Sequence, residues 1–150
     1  MQKELLIKNV NEMIDLGKKI GALAFPNTII TLIGDLGAGK TTLTKGIALG
    51  LGIKENVNSP TFTIMKTYQG KYPLYHLDVY RIDNPEADFE LEEYFDGDGV
   101  CVIEWAHNIK SLLPNDVLEI SIYRIDEEKR KVIFVANDAK YIQIINEACK

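Results

Sequence analysis

Residues Gly34–Thr41 read G-D-L-G-A-G-K-T, and this stretch decides the fold. It fits the pattern G-x-x-x-x-G-K-[ST] of a phosphate-binding P-loop. Glycines at 34, 37 and 39 let several backbone N–H groups approach one point, and a helix N-terminus behind them suits a polyphosphate. In that pattern Lys40 reaches the outer phosphates and the Thr41 hydroxyl holds Mg²⁺. The flanks agree. Thr28–Ile33 (T-I-I-T-L-I) is short, apolar and β-branched, which predicts a buried strand. Lys40–Leu51 follows as a helix, with Leu43, Ile47 and Leu51 four apart on one face, and Gly50 and Gly52 at its end.

Working outward, 150 residues predict a single domain over residues 1–150. A hydrophobic content of 46% and a charged content of 26% are ordinary for a globular chain. No apolar run approaches a membrane span, and the N-terminal M-Q-K-E-L-L-I-K-N-V is too short and polar for a signal peptide, so the cytoplasm is the expected compartment. The net charge of −5 disfavours broad electrostatic binding to nucleic acid. Cys101 lies in an apolar run as a small hydrophobe, Cys149 is second from the end, and neither belongs to a metal set.

Periodicity predicts the other elements. A first strand covers Glu4–Val10, and Asn11 caps a helix running to about Ala24. A polar connection covers Ile53–Ser59. Thr61–Tyr68 and Tyr72–Tyr80 read as a β-hairpin turning at Gln69-Gly70-Lys71. Pro85–Phe95 reads as a helix, Val100–Glu104 as a buried strand and Ala106–Leu113 as a short helix. Val117–Arg124 and Arg130–Ala136 form a second hairpin, and Lys140–Cys149 a terminal helix. The expected fold is α/β, a P-loop NTPase-like mixed sheet with antiparallel hairpins and helices on both faces.

A P-loop binds nucleotide; hydrolysis needs metal positioning and a group that orients the attacking water. Two acids at strand ends are candidates, Asp78 in Y-H-L-D and Glu104 in V-C-V-I-E. The second run looks fully buried, so its carboxylate emerges at the C-terminal edge of the sheet, where ligands of open α/β sheets bind. His76 is either a proton acceptor or a structural histidine. Trp105 either stacks on a base or partner or simply packs. Thr61, after Ser59-Pro60, stands where P-loop switches sense the γ-phosphate. No N-K-x-D stretch for guanine occurs, which favours ATP over GTP.

Taken in order, G-D-L-G-A-G-K-T-T, S-P-T-F-T-I, Y-H-L-D-V-Y-R-I and I-E-W resemble the TsaE family, bacterial P-loop ATPases needed to make threonylcarbamoyladenosine in tRNA. The resemblance runs from about Ile29 to Trp105. It implies that Gly34, Asp35, Leu36, Gly37, Ala38, Gly39, Lys40, Thr41 and Thr42 hold the phosphates of ATP. It implies that Thr41 and Glu104 ligate Mg²⁺ and that Asp78 is the second acid, orienting water. Lys40 and Glu104 join Asp78 as the catalytic set. Ser59, Pro60, Thr61 and Phe62 become a switch segment, with Trp105 beside them. The implied partner is a TsaB–TsaD complex, reset by ATP hydrolysis that is slow or negligible in this subunit alone; tRNA is met only indirectly and no membrane is involved. One departure stands out. Relatives often continue E-W with Pro or Ser and then Glu, whereas this chain has Ala106-His107.

The competing reading is a small-molecule kinase. It would need an arginine-bearing lid, and only Arg81, Arg124 and Arg130 are available. A nucleotide-dependent switch without catalysis is the third reading.

Overall fold

The computed structural model describes residues 1–35, 37–58, 65–80 and 90–150. Its centre is the predicted P-loop strand, β2 (Thr28–Ile33), whose first five residues are buried and whose last, Ile33, is exposed. β2 is flanked on both sides by parallel strands, β5 (Val100–Glu104) and β6 (Leu118–Arg124). β4 (Leu74–Asp78) lies parallel to β5. Antiparallel strands close both ends of the sheet. β3 (Met65–Tyr68) pairs with β4, β7 (Arg130–Val135) with β6, and β1 (Gln2–Ile7) with β7. The seven strands run in the order β1-β7-β6-β2-β5-β4-β3. Both predicted hairpins are therefore present. The first is described from Met65 onward.

Alternation along the strands sends side chains to two cores. One core combines Ile30 and Leu32 of β2 with α1 (Val10–Leu23), α2 (Lys40–Gly50) and α4 (Ala139–Ala148). The other combines Ile29, Leu77 and Ile103 with Phe95 of α3 (Glu90–Phe95) and with Ala106 and Ile109 of a short 3₁₀ segment, Ala106–Leu112. The sheet thus carries helices on both faces, as expected.

Three expectations need correction. The first strand begins at Gln2 and ends at Ile7, because its register with β7 runs from Gln2↔Val135 to Ile7↔Arg130. The cap of α1 is Asn9 rather than Asn11; the Asn9 side chain accepts the Glu12 N–H at 2.9 Å, and the Glu12 carboxylate in turn accepts the Lys8 N–H at 3.3 Å. The connection after α2 is not simply polar, since Ile53 and Val57 are buried in the first core.

α1 is what seats the P-loop helix. A Cβ on Gly17 would lie 2.7 Å from the Gly46 Cα, and one on Gly50 would lie 2.9 Å from the Gly21 Cα. Glycine at these four positions lets α1 and α2 touch backbone to backbone, which fixes the axis of α2 and the direction of its N-terminus.

Candidate functional site

The P-loop leaves the C-terminal end of β2 and turns into α2. Gly37 (φ 81°) and Gly39 (φ 119°) occupy left-handed conformations that disfavour any side chain. Gly34 needs glycine for a different reason, since a Cβ there would meet the Ile122 carbonyl oxygen of β6 at 2.8 Å. Within the loop the Ala38 N–H donates to the Asp35 carbonyl at 3.0 Å, and Leu43 N–H starts the helical ladder on Gly39 O at 2.9 Å. Lys40 and Thr41 fall in the first turn of α2, with Thr42 beside them. Leu36 lies outside the described residues.

The acids come from the neighbouring strands. Asp78 and Glu104 are register partners at the ends of β4 and β5. The strand period puts Leu74, His76 and Asp78 on one face of β4, and Val100, Val102 and Glu104 on the same face of β5. At Leu74, Val100 and Val102 this face belongs to the core under α1 and α2. Toward the C-terminal edge it turns polar, at His76, Asp78 and Glu104. A buried face that changes from apolar to ionisable beside a P-loop marks a site.

Glu104 is the hub. Only 5% of it is exposed. Lys40 Nζ lies 3.4 Å from its Oε1, and His76 Nε2 lies 2.9 Å from its Oε2. Burial by itself raises the carboxyl's pKa, but the His76 hydrogen bond and charge, together with Lys40, outweigh it and hold the group below its ordinary value. The carboxylate is therefore kept ionised beside the loop. Asp78 is half-buried and accepts the Tyr80 N–H at 3.0 Å, while the Asn108 amide donates to the carbonyls of Val79 (3.1 Å) and Tyr80 (3.2 Å). These bonds fix the chain just beyond Asp78.

Trp105 follows β5 with a left-handed backbone (φ 62°). Its ring centroid stands 5.7 Å from Lys40 Nζ and 4.7 Å from the Tyr80 ring, edge to face. His107 packs 5.7 Å from the same indole. A cavity of about 910 Å³ opens beside these groups, with Gly34, Lys40, Trp105, His107 and Tyr123 among its walls. Its size suits a nucleotide-sized ligand.

Lys40, Glu104, Asp78 and Trp105 are thus gathered at one end of the sheet. Ser59, Pro60, Thr61 and Phe62 lie outside the described residues. Sequence reasoning missed two contacts. His76 touches Glu104, and Arg130 donates from Nε to the Ala38 carbonyl at 2.8 Å, bracing the P-loop from β7. The sequence reads His76 only as a proton acceptor or a structural histidine, and nothing local signals either contact, since the partners lie 28 and 92 positions apart.

The chain has clear relatives. Residues 7–132 match the family model for threonylcarbamoyl adenosine biosynthesis protein TsaE. The tRNA threonylcarbamoyladenosine biosynthesis protein TsaE of Bacillus subtilis (strain 168) is 49% identical over 148 residues, which is 97% of this chain and 94% of that protein. The protein of the same name from Treponema pallidum (strain Nichols) is 42% identical over 118 residues, 77% of this chain and 87% of that one. The crystal structure of Bacillus subtilis YdiB superposes with a TM-score of 0.86 at 44% identity, covering 99% of this chain and 94% of that one. A P-loop seated on glycines, an ionised glutamate beside its lysine and near full-length kinship lead to one conclusion: the chain belongs to the TsaE family of threonylcarbamoyl adenosine biosynthesis proteins.

Proposed function

We propose that this protein binds and hydrolyses Mg·ATP in support of threonylcarbamoyladenosine modification of tRNA, acting on a TsaB–TsaD partner complex. The observation that carries the reading is the convergence on Glu104, with the P-loop lysine at one carboxylate oxygen and His76 at the other. A P-loop lysine facing an ionised strand-end acid is the charge arrangement that a metal–polyphosphate ligand replaces.

The donor set fits that ligand. The loop from Gly34 to Thr42 supplies N–H groups and a helix N-terminus for phosphates. Thr41 and Glu104 offer the hard oxygens Mg²⁺ favours. When bound, Mg²⁺ neutralises charge building on the transferred phosphoryl group. Lys40 then turns from Glu104 to the phosphates. Asp78, held at the end of β4, orients the attacking water. Thr61 and its neighbours report the nucleotide's state to the partner, with Trp105 at the site's rim.

The kinase alternative is less well supported. Arg130 spends its donors on the carbonyls of Ala38, Asp126 and Lys129, and Arg124 donates to Asp126 O. Both guanidinia are thus engaged by backbone carbonyls, although Arg124 also lines the cavity, and Arg81 lies outside the described residues. Among the described residues no helix is long and apolar enough to cross a membrane.

Calorimetric titration tests the binding half of the reading. ATP binds more tightly with Mg²⁺ than with EDTA, and Thr41→Ala or Glu104→Gln removes most of that difference. ATP binding that is indifferent to Mg²⁺ in the parent protein would contradict it.

A further inference from the structure

We propose that His76 is a positioning residue that fixes the Glu104 carboxylate for a divalent cation, holding Oε2 so that Oε1 is presented to the phosphate loop. The inference rests on the reading of Glu104 as a metal ligand. Its basis is the division of the two carboxylate oxygens. Oε1 faces Lys40 Nζ at 3.4 Å, and Oε2 faces His76 Nε2 at 2.9 Å. A carboxylate accepts, so Nε2 carries the proton and donates.

The two restraints differ in kind. Lys40 sits at the loop on a flexible four-carbon stem, and phosphates compete for it. His76 is wholly buried on β4, so its ring cannot follow. Once Lys40 is drawn to a ligand, the imidazole remains as the restraint on Glu104 that does not depend on the nucleotide.

The other ring nitrogen shows that this contact is why a histidine stands there. Nδ1 is buried and has no hydrogen-bond partner among the described residues. An apolar side chain of similar volume would fill the space without orphaning a nitrogen, as Leu74 and Val102 do on the same face. Among the described residues the imidazole is compensated only through Glu104. Outer hydrogen bonds of this type set the orientation and basicity of ligating carboxylates, and losing one typically costs about 10–100-fold in metal affinity.

The test uses the whole protein, ADP, and Mn²⁺ as the probe, with free Mn²⁺ read by its paramagnetic resonance signal. His76→Leu is expected to raise the half-saturating Mn²⁺ concentration about 10–100-fold, while ADP affinity in EDTA stays at the parent value. His76→Gln, whose amide nitrogen can take the place of Nε2, should restore most of the Mn²⁺ affinity. A folded His76→Leu protein with parental Mn²⁺ affinity would overturn the proposal. If the leucine variant does not fold, His76→Gln against His76→Asn decides, because the shorter amide falls short of Glu104: a tight Gln and a weak Asn variant support the proposal, and equal affinities overturn it. A parent protein that binds ADP but takes up no Mn²⁺ would remove the metal-site reading itself, a result distinct from a parent that binds the metal indifferently to residue 76.

Discussion

Asp78 and Glu104 are register partners on adjacent strands, yet they keep different company. Glu104 is buried between a lysine and a histidine, while Asp78 is half-buried and bonded to backbone. The pairing suits a division between holding metal and directing water. Asp78→Asn keeps the shape and the turn but removes the charge proposed to orient water. Hydrolysis by the partner-stimulated protein should fall at least about 100-fold, with Mg·ATP affinity nearly unchanged by calorimetry. Parental turnover in that variant would remove Asp78 from the mechanism. A second residue gives a pH prediction. Burial pushes the Cys101 thiol from 9.0 up to about 12. Above pH 9 the unfolded thiol ionises while the folded one does not. Its contribution is therefore complete below pH 9 and is lost as pH rises toward about 12, by up to about 1.4 kcal/mol per pH unit. Urea unfolding at pH 8 and pH 10 should show that decline in the parent, and Cys101→Ala should reduce it.

Among the elements, the α1–α2 contact controls where the P-loop points. Gly46→Ala would drive a methyl against the Gly17 Cα, 2.9 Å away, and against the Ile14 carbonyl. The helices must then separate. Unfolding in urea should show a loss of about 1–3 kcal/mol or more, accompanied by weaker nucleotide binding. Gly52→Ala is the contrast, for a Cβ there meets nothing within 4 Å and only its φ of 77° opposes it. The elements also differ in how far the sequence revealed them. β5 was legible over Val100–Glu104 because a short apolar run ending in an acid admits few readings. The P-loop was legible because its glycines answer to local backbone needs, at φ 81° and 119°. The cap of α1 was misplaced because Asn9 and Asn11 carry the same chemistry, and only the Glu12 N–H selects between them. The burial of Ile53 and Val57 was hidden by their polar neighbours. Contacts spanning distant segments were beyond local reading. Arg130 meets Ala38 across 92 positions, and His76 meets Glu104 across 28.

For the whole molecule, the topology sets the site. Parallel strands β6, β2, β5 and β4 bring their C-terminal ends to one edge, so the P-loop and both acids meet there without a second domain. The antiparallel strands at either end widen the sheet and supply supports, among them Arg130 on β7 and the β3–β4 pair beside His76. The exposed rings of Tyr80 and Trp105 stand at the same edge, next to Lys40. That placement suits a subunit whose nucleotide state is felt by a protein docked nearby. The net charge of −5 disfavours broad electrostatic binding to nucleic acid. We propose the site to be a partner-driven ATPase. The direct measurement is phosphate release from Mg·ATP by the purified protein, alone and with TsaB and TsaD added together. Slow or negligible release alone and marked stimulation by the pair is the predicted result. Rapid release that the pair leaves unchanged, or no release under either condition, would contradict it.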